Sequence, residues 1–148
     1  MFRDQIQKTF NELRARHPTT LDDVRGFAEA GHAEYQFHLG CMYTTGQGVP
    51  QDDAEAVRWF RLAAEQGRAD AQFYLGGMYA DGLGLPQDHV LAHMWFNLAA
   101  LRVTGEARKG AVGNRDRAAG QLTPDDLSEA QRLAREWDAA HPPNLRPR

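Results

Sequence analysis

Cross-linking, nucleophilic and membrane-spanning residues are scarce in this chain. Cys41 is the only cysteine, which excludes an intramolecular disulfide. Ser128 is the only serine. It has no histidine near it in sequence, which sets it against a hydrolytic triad. No apolar run approaches the roughly 20 residues of a membrane helix. Residues Met1–Lys8 lack the apolar core of a secretory signal. These absences lead to the expectation of a cytoplasmic protein, with export of a longer precursor left open. Lysine is almost missing too, at Lys8 and Lys109 only. Positive charge is therefore arginine, whose fork grips carboxylates in two places. A net charge of −3 gives no bulk case for nucleic acid or an acidic membrane as partner.

The chain does have a repeat. Its 148 residues, 42% hydrophobic and 25% charged, suffice for one domain with a real core. A shift of 36 residues lays one stretch on the next without a gap. Gln36-Phe37 meets Gln72-Phe73, Leu39-Gly40 meets Leu75-Gly76, and Met42-Tyr43 meets Met78-Tyr79. Gly46 and Gly48 meet Gly82 and Gly84, Pro50-Gln51-Asp52 meets Pro86-Gln87-Asp88, and Trp59-Phe60 meets Trp95-Phe96. A fixed period of this size marks a solenoid, whose units bury their apolar faces against their neighbours.

One unit predicts two helices. Ala33, Gln36, Phe37, Leu39, Gly40 and Tyr43 recur at three- and four-residue steps, along one side of a helix. The run Gly46-Gln47-Gly48-Val49-Pro50 stops that helix. Asp52 or Asp53 then caps a second helix, because a short carboxylate accepts the free N–H groups of a first turn. Ala56, Val57, Trp59, Phe60, Ala63 and Ala64 form its apolar stripe, and Gly67 ends it. The small residues Gly40, Gly76, Ala63 and Ala99 let helix backbones approach closely.

The string Ala33-x-x-Gln36-x-x-Leu39-Gly40-x-Met42-Tyr43-x-x-Gly46-x-Gly48-Val49-x-x-Asp52, followed by Ala56-x-x-Trp59-Phe60-x-x-Ala63-Ala64-x-x-Gly67, resembles a Sel-1-like repeat, a cousin of the tetratricopeptide repeat. Ala69 to Gly105 is similar, with Leu85 in place of the usual valine. Asn114–Ala119, Leu122-Thr123-Pro124 and Ala130–Ala134 look like the terminal unit that closes such arrays in bacteria. The resemblance covers residues 21 to 138. It implies an all-α, right-handed α/α superhelix of helix–turn–helix repeats. Some secreted relatives staple each repeat with a cystine, and this chain departs from that pattern.

The chain is expected to be one domain. Residues 1–30 supply N-terminal helices, 31–66 the first repeat, 67–104 the second, 105–140 a terminal helical pair and 141–148 a frayed tail. Within 2–16, Phe2, Ile6, Phe10 and Leu13 share one side of a polar helix that His17-Pro18 stops. Thr19 or Thr20 caps a helix from Leu21 to Ala30, an incomplete unit ahead of the first repeat. Thr123-Pro124-Asp125-Asp126 is a strong helix start. Gly110 and Gly113 weaken the helix before it.

No catalytic, metal or cofactor site is expected. Cys41 lies one turn from His38, but a free cysteine in a helix groove reads as a small hydrophobe. His89 and His93 have a metal-compatible spacing. Between them stand Val90, Leu91 and Ala92, so the glutamate of a zincin motif is missing and a helix face is the better reading. Gly46-x-Gly48 and Gly82-x-Gly84 lack the lysine and the preceding strand of a phosphate loop.

The resemblance implies a non-enzymatic adaptor for another protein or peptide, bound in a concave groove lined by the first helix of each repeat. In the first repeat the groove residues would be Glu34, Phe37, Cys41 and Thr44, flanked by His38 and Thr45. In the second they would be Asp70, Phe73, Gly77 and Ala80, flanked by Tyr74 and Asp81. Arg108, Ala111 and Arg115 would extend it. Packing by Phe37 and Phe73 as consensus core residues is the competing reading. The alternatives are a small hydrolase or ligand-binding protein of the β-lactam-binding type, suggested by cysteine-rich relatives, and weak homo-oligomerisation through the ends of the stack.

Overall fold

The computed structural model describes residues 2–16 and 20–142. Among them are eight helices and no strand: α1 Phe2–Arg16, α2 Leu21–Glu29, α3 Ala33–Thr45, α4 Asp53–Glu65, α5 Ala69–Asp81, α6 His89–Ala100, α7 Gly105–Ala119 and α8 Pro124–Ala140. From α2 to α7 each helix packs on the next, and α8 returns to lie against α6. That zigzag is an α-solenoid, with α2, α4, α6 and α8 in one layer and α3, α5 and α7 in the other.

The repeat holds at the level of single bonds. Asp52 and Asp88 cap α4 and α6, their carboxylates accepting from the N–H groups of Glu55 and Leu91. Gly46 and Gly82 end α3 and α5 in the left-handed conformation, at φ 73° and 67°, where a side chain would strain the backbone. The Asp52 and Asp88 amides each donate to the carbonyl of Tyr43 or Tyr79 at 2.9 Å. Inside the stack, the Gln36 and Gln72 amides donate to the carbonyls of Ala28 and Ala64 at 3.2 Å. Each glutamine thus satisfies a carbonyl near the C-terminal end of an earlier helix, an acceptor that burial would otherwise orphan.

The predicted small residues mark close approach. A Cβ at Gly40 would lie 2.7 Å from the Phe60 ring, and one at Gly76 would lie 3.0 Å from the Phe96 ring. Helix pairs α3/α4 and α5/α6 therefore meet at the same glycine–phenylalanine contact. The helix of 105–119 runs unbroken through Gly110 and Gly113. Thr20 forms a capping box with Asp23 at the start of α2, and Thr123 caps α8 with Pro124 behind it. The stop at His17-Pro18 and most of the predicted tail lie outside the described residues. His141, expected in the frayed tail, instead stacks on Trp137 with ring centroids 3.9 Å apart.

α1 departs from simple stacking. Its Ile6, Phe10 and Leu13 are buried and Phe2 is half-buried, as the pattern predicts. The helix packs on α3, and Arg3 meets the end of α3 while Phe10 meets its middle. It therefore runs antiparallel to α3 and crosses the inner layer toward α5.

Candidate functional site

The inner face, formed by α3, α5 and α7, is where the fold brings side chains from several repeats together. Its first half is covered by α1. The Arg3 guanidinium grips Asp53 through two bonds, Nη1 to Oδ1 at 3.0 Å and Nη2 to Oδ2 at 2.6 Å. The same Nη1 also donates to the Thr44 carbonyl at 3.0 Å. The Phe2 ring stands edge-on to Tyr74 at 5.7 Å and covers the bare backbone of Gly77, where a Cβ would run into it. The hydroxyls of Thr9 and Tyr74 are hydrogen-bonded. Phe10 lies edge-on to His38 at 5.2 Å.

This corrects the expected open groove. Phe37, Cys41 and Thr44 are fully buried, and His38 and Tyr74 are 5% exposed. Phe37 stacks on Tyr74 at 5.5 Å and touches Phe60 at 5.7 Å, so it is a core residue between repeats. Arg68 lies over its ring at 5.2 Å. Thr44 turns its hydroxyl back to the Gly40 carbonyl. Two causes combine: α1 lays Phe10 over His38 and Phe2 over Tyr74, and Phe37 is packed between the repeats, so water is kept from both.

The second half of the face is open. Between the start of α1, α5, the start of α6 and α7 lies a cleft of about 720 Å³. Phe73, Gly77, Ala80 and Asp81 line it. Phe2, Gln5, Gln87, His89, Phe96, Asn114, Arg117, Ala118 and Gln121 complete it. Phe73 is half-buried and packs edge-on to Phe96 at 5.5 Å. A smaller hollow of about 220 Å³ continues from Phe73 and Gln5 toward Asp70, Tyr74, Glu106 and Gly110. Asp81 and Arg117 set opposite charges on the cleft wall.

Of the other expected residues, Asp70 borders the smaller hollow, while Glu34, Arg108 and Arg115 sit apart from the cleft. Glu34 lines a separate hollow of about 380 Å³ with Tyr35, Gln66 and Arg68 at the repeat ends. Asp70 is held by Arg68 through bonds of 2.8 and 3.1 Å. Its carboxyl is raised because burial outweighs the neighbouring guanidinium. Arg108 is exposed and donates to the Ala100 carbonyl at 3.3 Å. Arg115 pairs with Asp116 at 3.0 Å and reaches Asn97 at 3.4 Å. Neither arginine lines the cleft. Asn114 and Arg117 stand there instead, on the α7 face offset from the predicted one, with Gln121 from the turn that follows α7. Their three- and four-residue spacing was the signal available, and the helix phase was one position away.

Burial pushes the Cys41 thiol well up, so it stays a neutral thiol beside His38. Burial, followed by the Arg115 charge, lowers His93. His93 is 4% exposed, and its Nδ1 has no hydrogen-bond partner. Among the described residues, no group of three or more His, Cys, Asp or Glu is placed to hold a metal ion. Among them, no helix is long and apolar enough to cross a membrane. Ser128 is exposed on α8.

The Sel1 repeat family matches residues 33–67 and 69–102. These bounds fall on α3–α4 and α5–α6. Among solved structures, a protective antigen present in uropathogenic Escherichia coli strains and displaying an SLR fold is similar at 35% identity and a TM-score of 0.74, over 82% of this chain. A Sel1 repeat protein from Oxalobacter formigenes is similar at 41% identity and a TM-score of 0.56, over 58% of this chain. The chain spans about a quarter of the length of each, 25% in both cases. No curated protein matches it.

Proposed function

This chain is a Sel1-repeat solenoid, and from that premise we propose that it is a non-enzymatic adaptor that holds another protein on its concave face. Sel1 repeats generally serve as protein-interaction scaffolds. The observation that carries the reading here is the open cleft between α5 and α7, about 720 Å³ in volume and walled by Phe73 and Phe96. An aromatic floor with Asp81 and Arg117 on its walls suits a peptide segment, which brings apolar side chains and charges of both signs. The action is burial of that segment, with no covalent step. Neither Cys41, neutral and buried, nor Ser128, exposed on α8, favours the hydrolase or β-lactam-binding alternative.

The test is site-directed photo-crosslinking in native lysate, with the crosslinker at Asp81 or Asn114 and a control at Leu62 on α4. The adaptor reading expects one protein trapped from both cleft positions, absent from Leu62, and lost on adding Ala80→Arg. Equal trapping at all three positions would contradict it.

A further inference from the structure

We propose that the seat of α1 is itself a partner-binding groove, and that α1 is its built-in competitor. The partner is an amphipathic helix of another protein, with apolar side chains at the α1 spacing and an arginine near its start. The inference rests on the adaptor reading and names the partner class for the covered half of the face.

Three features carry it. First, α1 is not a repeat helix. It lacks the Leu-Gly and Met-Tyr pairs of α3 and α5 and lies across the inner layer rather than within the stack. It occupies the place a bound helix would take. Second, the seat is shaped for side chains at steps of four, four and three. Phe2, Ile6, Phe10 and Leu13 fill it, while Gln5, Lys8, Glu12 and Arg14 remain exposed. The bare Gly77 backbone admits the first aromatic ring. Third, the seat selects charge. Asp53 is 23% exposed on its side chain and is neutralised by Arg3. A departing α1 leaves this carboxylate without its guanidinium, and an incoming helix with an arginine there restores the two-pronged pair.

A tethered helix competes at an effective concentration on the order of millimolar. A partner helix of similar strength is therefore held off until it exceeds that level or until α1 is loosened.

The probe is a fluorescein-labelled peptide of residues 2–16, titrated into the full chain. The comparison is an Ile6→Ser/Phe10→Ser variant, with cooperative melting by circular dichroism as the folding check. The expected result is binding to the opened variant at least tenfold tighter than to wild type. Adding Asp53→Arg should weaken it at least fivefold, and an Arg3→Glu peptide should recover part of the loss. If the double variant does not melt cooperatively, Arg3→Glu in the full chain replaces it under the same criteria. A folded, opened variant that ignores the peptide overturns the proposal, as does equal binding to wild type. A wild-type dimer in light scattering that the peptide dissociates would make a second copy the occupant, and overturns it too. Failure of the peptide arm with cleft crosslinking intact leaves the adaptor reading standing.

Discussion

Arg3 and Asp53, 50 residues apart, form a two-pronged ion pair of 3.0 and 2.6 Å that ties the start of α1 to the start of α4. Arg3 is 40% and Asp53 23% exposed, so water screens the pair only in part. Replacing Arg3 by alanine is expected to cost about 1 kcal/mol. Hydrogen exchange should show where: amides of α1 lose protection, while those of α4 to α6 keep theirs. A uniform loss across the stack would contradict a local role.

Gly77 gives a second handle on α1. Gly77→Ala removes a helix-interior glycine from α5, worth about 1 kcal/mol in its favour, but its Cβ displaces the Phe2 ring. Protection at residues 2–6 should fall while the thermal midpoint of the stack holds or rises. A protein whose α1 exchange is unchanged would show that Phe2 is not seated there.

The glycines of the stack should respond oppositely according to what they face. Gly40→Ala sets a methyl 2.7 Å from the Phe60 ring, and overpacking of that kind costs about 1–3 kcal/mol. The helix-propensity gain of up to about 1 kcal/mol offsets only part of it. Gly110 and Gly113 have nothing within 4 Å of an added Cβ, so alanine there should stabilise by about 0.5–1 kcal/mol each. Urea unfolding of the three single variants checks both signs.

The repeated helices were readable because their period is written in residues that touch each other. Gly46 as a helix stop, Asp52 or Asp53 as a cap, and Gly40 and Gly76 as points of close approach were legible from spacing, since caps and close approaches are local demands; that Phe60 and Phe96 are what those glycines meet came from the structure. The position of α1 was not readable. Phe2, Ile6, Phe10 and Leu13 declare an apolar face, but no periodicity says which surface it covers. For the same reason His38 and Tyr74 read as groove residues, since on α3 and α5 alone they point inward and it is α1 that covers them; Phe37 is core because it packs between repeats on Tyr74 and Phe60. The α7 residues were missed by helix phase, because Gly110 and Gly113 leave that helix with few apolar positions to fix which face turns in.

His93 should make stability depend on pH. Burial lowers its folded-state pKa below the ordinary value of 6.5. The unfolded chain therefore takes up a proton first as pH falls. Stability is full above pH 6.5 and is lost below it, with a slope of at most about 1.4 kcal/mol per pH unit. Urea midpoints of wild type and His93→Gln at pH 7.5 and 5.5 test this. Wild type should lose more on acidification than the variant, and parallel losses would assign the slope to other groups.

Cys41 should be silent to thiol reagents. Its buried thiol is held protonated well above the ordinary range, and the thiolate is the reacting form. Labelling by a disulfide reagent at pH 8 should proceed only in denaturant. Prompt stoichiometric labelling of the native chain would show that the layer over α3 opens freely.

Nuclear Overhauser contacts in solution read directly where α1 lies. The Phe2 ring protons should show cross-peaks to Tyr74, and the Phe10 ring to His38, whose ring centres are 5.7 and 5.2 Å away. Their presence, with helical shifts through residues 2–16, is the predicted result. Coil-like shifts in that segment with neither set of cross-peaks would mean an uncovered groove, and would contradict the account.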